Sequence, residues 1–227
     1  MRVKVLGSAA GGGFPQWNCN CVNCGRLREG KFRGAARTQV QLAWSSTPSQ
    51  WTLLNASPDL RFQIEATPEL WPREGMRHSP IADVIVTSAE LDQTLGLLLL
   101  REFHPFRVHT TSSIRRIFTE DNSFFAVLNR FPGQVCWSDM PLEQPFSAGG
   151  ARLEVLPLSG SFPGFVNPSR LTSLNPAITA LRELRGENTV RRRASLNARI
   201  ATIIGAGVAS AHVRMTRREN CSDNFVM

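Results

Sequence analysis

The sequence predicts an α/β protein, on three observations. Short β-branched runs are followed by polar loops and helix-like segments, most plainly residues 83–87, the loop 88–93 and a leucine-rich stretch to Arg101. An alternating first strand, residues 2–6, runs straight into a glycine-rich turn. The 227 residues are 42% hydrophobic and 19% charged, a soluble globular composition with enough material for a single large core.

Taken in order, the first strand leads into residues 7–24, which hold three of the five cysteines. Gly7 and Gly11 to Gly13 are expected to supply positive φ and close backbone approach. No Gly-Lys-Ser/Thr follows, so a phosphate loop is excluded and a tight turn is expected. Cys19, Cys21 and Cys24 stand in a Cys-x-Cys-x-x-Cys spacing, and pairing them as disulfides leaves one over. Their thiolates can instead converge on a tetrahedral Zn²⁺, which usually takes four donors. The fourth is left open.

Residues 39–45 and 51–55 read as a hairpin across a short polar turn. Ser57, Pro58 and Asp59 form a helix start, with Ser57 as N-cap, Pro58 at the first helical position and Asp59 at the positive helix end. Asp59 could equally be a metal or substrate carboxylate at the carboxyl end of a strand; capping is the favoured reading. Residues 83–87 form a compact buried strand. The loop 88–93 after it sits where a βα unit presents functional side chains, at the carboxyl edge of a sheet. The leucine-rich helix beyond is apolar nearly all round, and burial between layers is expected.

Further strands are expected at 107–110, 135–137 and 153–156. Helices are expected at 112–119, with Arg115 and Arg116 on a solvated face, and at 123–130. His104 and His109 flank the strand after the buried helix and read as hydrogen-bonded scaffold rather than ligands. Cys136 reads as a small buried hydrophobe.

The net charge of +8 suggests phosphate binding, but it is unevenly spread. From Leu171 onward nine arginines face four acids, so the tail carries +5 and the first 170 residues only +3. A salt-sensitive zinc-knuckle nucleic-acid binder is therefore disfavoured, and no nucleic-acid partner is expected. No apolar run reaches the roughly eighteen residues that span a bilayer. Residues 200–211 are too short and are broken by Gly205 and Gly207. The start lacks a long apolar stretch, so neither a signal peptide nor membrane insertion is expected. Clustered cysteines without a secretory signal favour a metal site in a reducing, cytoplasmic setting.

Four segments together carry a resemblance. They are residues 5–21 (VLGSAAGGGFPQWNCNC) with Cys24, residues 55–61 (NASPDLR), residues 90–98 (ELDQTLGLL) with Arg101 and Glu102, and residues 156–163 (LPLSGSFP). They resemble the coenzyme PQQ synthesis protein B family of the metallo-β-lactamase superfamily, over roughly residues 1–175. Ser88, Glu90, Asp92 and Gln93 occupy the first, third, fifth and sixth places of that superfamily's His-x-His-x-Asp-His pattern, with the histidines replaced and Asp92 kept.

The resemblance implies an αββα sandwich and a role in making pyrroloquinoline quinone (PQQ), a bacterial redox cofactor. It implies metal-dependent hydroxylation of a tyrosine in a small Glu–Tyr intermediate. An alternative family description makes it a carrier of PQQ or a precursor toward the periplasm. Carried over, Cys19, Cys21 and Cys24 would be structural zinc ligands and Asp92 a ligand of catalytic Fe(II). Glu90, Gln93 and Asp59 would line that site. Carboxylates with open positions suit Fe(II), and thiolates suit a closed Zn²⁺ site. The implied partner is a peptide-derived substrate or PQQ precursor; whether a homodimer forms is left open.

The match ends after about Pro176. The family's Gly-His and His-Ile-Asn-Asn-Thr-Asn-Pro motifs have no counterpart here; His212, in Ala-His-Val-Arg, fits neither. Instead the segment 176–227 is arginine-rich, with Arg191-Arg192-Arg193. The expectation is a first domain over 1–175 and a divergent basic tail over 176–227 that is out of frame from near Asn175. The second half of the sandwich would then be incomplete, and activity impaired.

Overall fold

In the computed structural model the described residues are 1–157 and 179–183. Six strands form one mixed sheet in the order β1-β2-β3-β4-β5-β6. These are β1 (Arg2–Gly7), β2 (Gln41–Ser45), β3 (Trp51–Leu54), β4 (Ile81–Ile85), β5 (Phe106–Thr110) and β6 (Val135–Asp139). The first three pair antiparallel, then β3 through β6 run parallel. Each parallel step needs a crossover, and helical segments provide them. After β3 come α2 (Leu60–Glu65) and a 3₁₀ turn, Pro68–Leu70; after β4, α3 (Leu91–Thr94) and a 3₁₀ segment, Leu95–Leu100. After β5 come α4 (Ser112–Arg116), a π-type turn Ile117–Asp121 and a 3₁₀ segment Ser123–Asn129. One earlier helix, α1 (Val22–Arg28), carries Cys24.

Side chains of a strand alternate between faces, and the core divides accordingly. On one face Trp51, Leu53, Val84 and Val108 pack against Leu60, Leu97, Ile114, Phe118 and Phe125 of the helical segments. On the other, Trp44, Leu54 and Ile85 pack against Ala148, Leu153 and Val155. The latter belong to a second, antiparallel sheet of β7 (Pro145–Ala148), β8 (Ala151–Pro157) and β9 (Thr179–Glu183). The described layers are thus helix, sheet and sheet, an α/β architecture of metallo-β-lactamase type.

Most expected elements are present, with five corrections. Cys136 is exposed, not buried; among the described residues β6 pairs only with β5 and stands at the sheet edge. The leucine-rich stretch is largely 3₁₀, and it is not enclosed: Leu97 is fully buried, but Leu91, Leu95 and Leu99 are exposed. Ser57 does not cap α2; its hydroxyl accepts from the Asp59 amide and donates to Gln63 Oε1. The residue before α2 is Asp59, whose side chain makes no capping bond. Gly12 and Gly13 have positive φ as expected, but Gly7 and Gly11 do not. The strand β7 was not expected from the sequence. Within the segment 176–227 the described part is β9, which pairs antiparallel with β8. The 158–163 part of the fourth motif, Asn175, Arg191 to Arg193 and His212 lie outside the described residues.

Candidate metal corner and carboxylate edge

Two chain reversals separate β1 from β3, so the two run the same way and the loop after β1 emerges at the carboxyl edge of the parallel strands. The loops after β3 and β4 emerge there too, which is the edge where open α/β sheets place their sites.

The cysteine corner is built within residues 16–28. Cys21 precedes α1 with extended backbone, and its sulfur accepts from the Cys24 amide at 3.5 Å. The Cys19 sulfur accepts from the Cys21 amide at 3.5 Å. The three Sγ atoms lie within 4.8 Å of one another, and Cys24 is buried. Burial pushes the Cys24 thiol above its ordinary pKa; Cys19 adds to the rise, while a backbone bond at Gln16 and the Arg28 charge oppose it. Arg28 also fastens the loop: its guanidinium donates to the carbonyls of Cys19 and Gln16.

Convergent sulfurs of this kind fit a thiolate Zn²⁺ site, since a cation offsets the cost of gathering thiolates. Neither Cys19 nor Cys24 is in a disulfide.

The carboxylate edge is positioned by a buried polar lattice. Gln41, 1% exposed, donates to the carbonyls of Leu54 and Asn55 and accepts from the Ser57 amide at 2.8 Å. Asn55 takes a left-handed φ of 61°, and its Oδ1 accepts from both the amide and the hydroxyl of Thr87. The Ala56 amide donates to Gln93 O at 2.7 Å, and the Gly96 amide to Ala56 O at 2.9 Å. Gly96 permits this approach, since a Cβ there would meet Ser57 O at 2.4 Å. The loops after β3 and β4 are therefore locked together through backbone and buried amides.

On this frame Glu90 and Asp92 stand half-buried. Burial raises the pKa of both, and for Glu90 the neighbouring Asp92 charge raises it further. Gly11 lies directly over Asp92: a Cβ on Gly11 would sit 3.2 Å from Oδ2. Asp59 turns elsewhere, its Oδ2 accepting from the Gln39 amide at 2.8 Å. It anchors the segment before β2.

Among the described residues, Cys19, Cys21 and Cys24 are the one group of three or more His, Cys, Asp or Glu donors close enough to hold a metal. Asp92 is not gathered with histidines there. His109 is buried and bonded through Nε2 to Asp83 Oδ1 at 2.7 Å, a scaffold pair as expected. Among the described residues, the donors present do not by themselves fit Fe(II). Sequence reasoning missed Gln41, Asn55, Arg28 and the Gly11 contact. The signal for Asn55 was a polar residue closing an apolar strand; nothing in one dimension marked Arg28.

A model of the beta-lactamase superfamily domain matches residues 50–175. Coenzyme PQQ synthesis protein B of Nitrosococcus oceani is 41% identical over 175 residues, 73% of this chain and 56% of that protein. The protein of the same name from Azotobacter vinelandii is 40% identical over 168 residues, again 73% and 56%. The chain thus spans about half the length of the curated relatives it matches. Zn²⁺-bound PqqB from Methylobacterium extorquens superposes with a TM-score of 0.64 at 43% identity, over 69% of this chain and 55% of that one. A diphosphatase of the PhnP family shares the fold alone, with a TM-score of 0.54 at 17% identity.

Proposed function

Because the chain belongs to the beta-lactamase superfamily, we propose that it serves PQQ biosynthesis as a metal-binding protein, with Cys19, Cys21 and Cys24 holding a structural Zn²⁺. The observation that carries the metal reading is the convergence of the three sulfurs within 4.8 Å. The similarity to proteins named coenzyme PQQ synthesis protein B supports the pathway. When bound, the ion supplies a cross-link: it would tie α1 to the turn before it, and Arg28 already aligns that turn through its carbonyls.

The second part of the reading concerns Glu90, Asp92, Gln93 and the glycine turn. They form a ledge that would hold a small peptide-derived substrate, the tyrosine of a Glu–Tyr unit; its hydroxylation by O₂ calls for a redox metal that these residues alone do not hold. The raised carboxyls suit a proton-exchanging or cation-binding role there. Fe(II) at Asp92 needs further donors from outside the described residues. The reading therefore expects weak or no turnover by this chain alone.

The test is metal analysis of the reduced, purified chain, followed by incubation with a Glu–Tyr peptide, Fe(II) and O₂. One zinc per chain, lost in Cys24→Ser, supports the metal corner. Binding of the Glu–Tyr peptide that is lost in Asp92→Ala supports the ledge. Stoichiometric binding of PQQ or its precursor without any turnover would replace hydroxylation by the carrier role.

A further inference from the structure

The strands β4, β5 and β6 are parallel neighbours, so the three loops that enter them meet the sheet at one edge, the amino edge, opposite the carboxylates. These loops are residues 71–80, 101–105 and 130–134. Each carries an exposed large apolar side chain with an arginine within two residues of it. The first holds Trp71 with Arg73 and Met76 with Arg77; the second holds Arg101 with Phe103; the third holds Arg130 with Phe131. Phe103 is 60% exposed, and Met76 lies wholly in solvent.

Folding does not account for these side chains. Phe103 has a φ of 66°, in the left-handed region where a bulky residue is strained, and burial does not offset that cost. Its ring meets the Phe131 ring edge-on with centroids 4.5 Å apart, and the Arg130 guanidinium lies over Phe131 at 5.5 Å. Trp71 donates its Nε1 to the carbonyls of Ile64 and Glu65 at 3.0 Å, which turns its polar atom inward and leaves apolar ring surface exposed. Arg73 and Arg77 are exposed and form no ion pair among the described residues. The acids on these loops are Glu74 and Glu102, and Glu102 pairs with Arg101 at 3.5 Å. Four arginines less two glutamates leave a net charge of +2 on the edge.

We propose that this edge docks the protein on an anionic lipid bilayer, with Trp71, Met76, Phe103 and Phe131 among the headgroups and the four arginines on the phosphates. Exposed apolar patches mark surfaces that bind membranes or proteins. Rings interleaved with guanidinium groups match the layering of a bilayer interface: aromatic side chains settle at headgroup level, and arginines extend their charge to the phosphates. The spread over three loop tips suits a flat target better than a peptide, which a single groove would hold. Attachment is peripheral, since no described helix is long and apolar enough to cross a membrane. The carboxylate edge then faces away from the bilayer. This inference goes beyond the PQQ reading and stands without it.

The experiment is co-sedimentation of the full chain with vesicles of phosphatidylcholine, alone or mixed equally with phosphatidylglycerol. The chain should bind the mixed vesicles, bind phosphatidylcholine far less, and lose affinity as salt is raised. Arg73→Gln combined with Arg77→Gln should weaken binding roughly tenfold, and neither arginine has an ion pair whose loss would disturb folding. Phe103→Gly should weaken binding roughly fivefold. Its Tm should hold or rise, because glycine accepts the left-handed backbone without strain. Arg116→Gln, on α4 and paired with Glu120, should leave binding nearly unchanged. No sedimentation with mixed vesicles at low salt overturns the proposal, and so does equal binding to both vesicle types. Binding that survives the edge substitutions belongs to another basic segment, such as the one with Arg191 to Arg193, and overturns it too. A dimer found by sedimentation equilibrium and lost in Phe103→Gly, with no vesicle binding, assigns the edge to a second copy instead.

Discussion

Beneath the helical segments, Trp51, Leu60, Leu97, Ile114 and Phe118 are closed to solvent and pack together as one apolar cluster. At the carboxyl edge of the same sheet, Gln41, Asn55, Ser57 and Thr87 are just as buried and are polar throughout. The first region gains stability from the apolar area it removes from water. The second breaks even at best, because every buried amide must recover the hydrogen bonds that it lost. What the polar lattice provides is placement. It pins two loops so that half-buried Glu90 and Asp92 stand at the rim, where their charges cost energy rather than contribute it.

If that division holds, substitutions in the two regions should differ in kind as well as in size. Phe118→Ala empties a site against Phe125 and Trp137 and should cost about 3–5 kcal/mol by denaturant unfolding. A cost near zero would place the stabilising core elsewhere. Gln41→Ala strands the carbonyls of Leu54 and Asn55 and the Ser57 amide, and should cost about 1–3 kcal/mol. Because these partners define the edge, that variant should also speed hydrogen exchange over residues 55–57 and 87–96, where Phe118→Ala should act on the whole molecule.

Arg28→Ala should leave stability nearly intact but weaken zinc roughly tenfold, measured by chelator competition, since only the orientation of the corner is lost. Equal affinity would show that the loop needs no clamp.

The smallest effect has the opposite sign. Glu90 and Asp92 have folded pKa values raised by burial. Their contribution to stability is complete below the unfolded carboxyl pKa and is lost as pH rises through the raised folded value. Asp92→Asn should therefore give a small rise in Tm of the metal-free chain at neutral pH. The gain should shrink as the pH falls through the carboxyl range. A Tm that drops at neutral pH would mean that the ionised carboxylate is stabilised by a partner.

The fold was legible where burial and period coincide. The alternation of residues 2–6, the hairpin over 39–55 and the apolar run in 83–87 all appear as strands. Reading failed where the position of an element in the sheet decided the outcome. Cys136 looks like a core residue locally, but among the described residues β6 has a neighbour on one side only and the thiol is exposed. The leucines after Asp92 look enclosed, yet a 3₁₀ segment turns Leu95 and Leu99 outward. Asp59 was favoured as a cap, but its side chain makes no capping bond; it binds the Gln39 amide, twenty residues away.

By itself the sequence determined the cysteine spacing, the βα order and the carboxylates of the loop 88–93, because these are local patterns set by bond lengths and residue chemistry. Only the tertiary structure decided that the turn after β1 lies over Asp92, that Arg28 holds the cysteine loop and that Glu90 and Asp92 are hard to ionise. Those facts depend on distances between segments far apart in the chain, which packing alone sets.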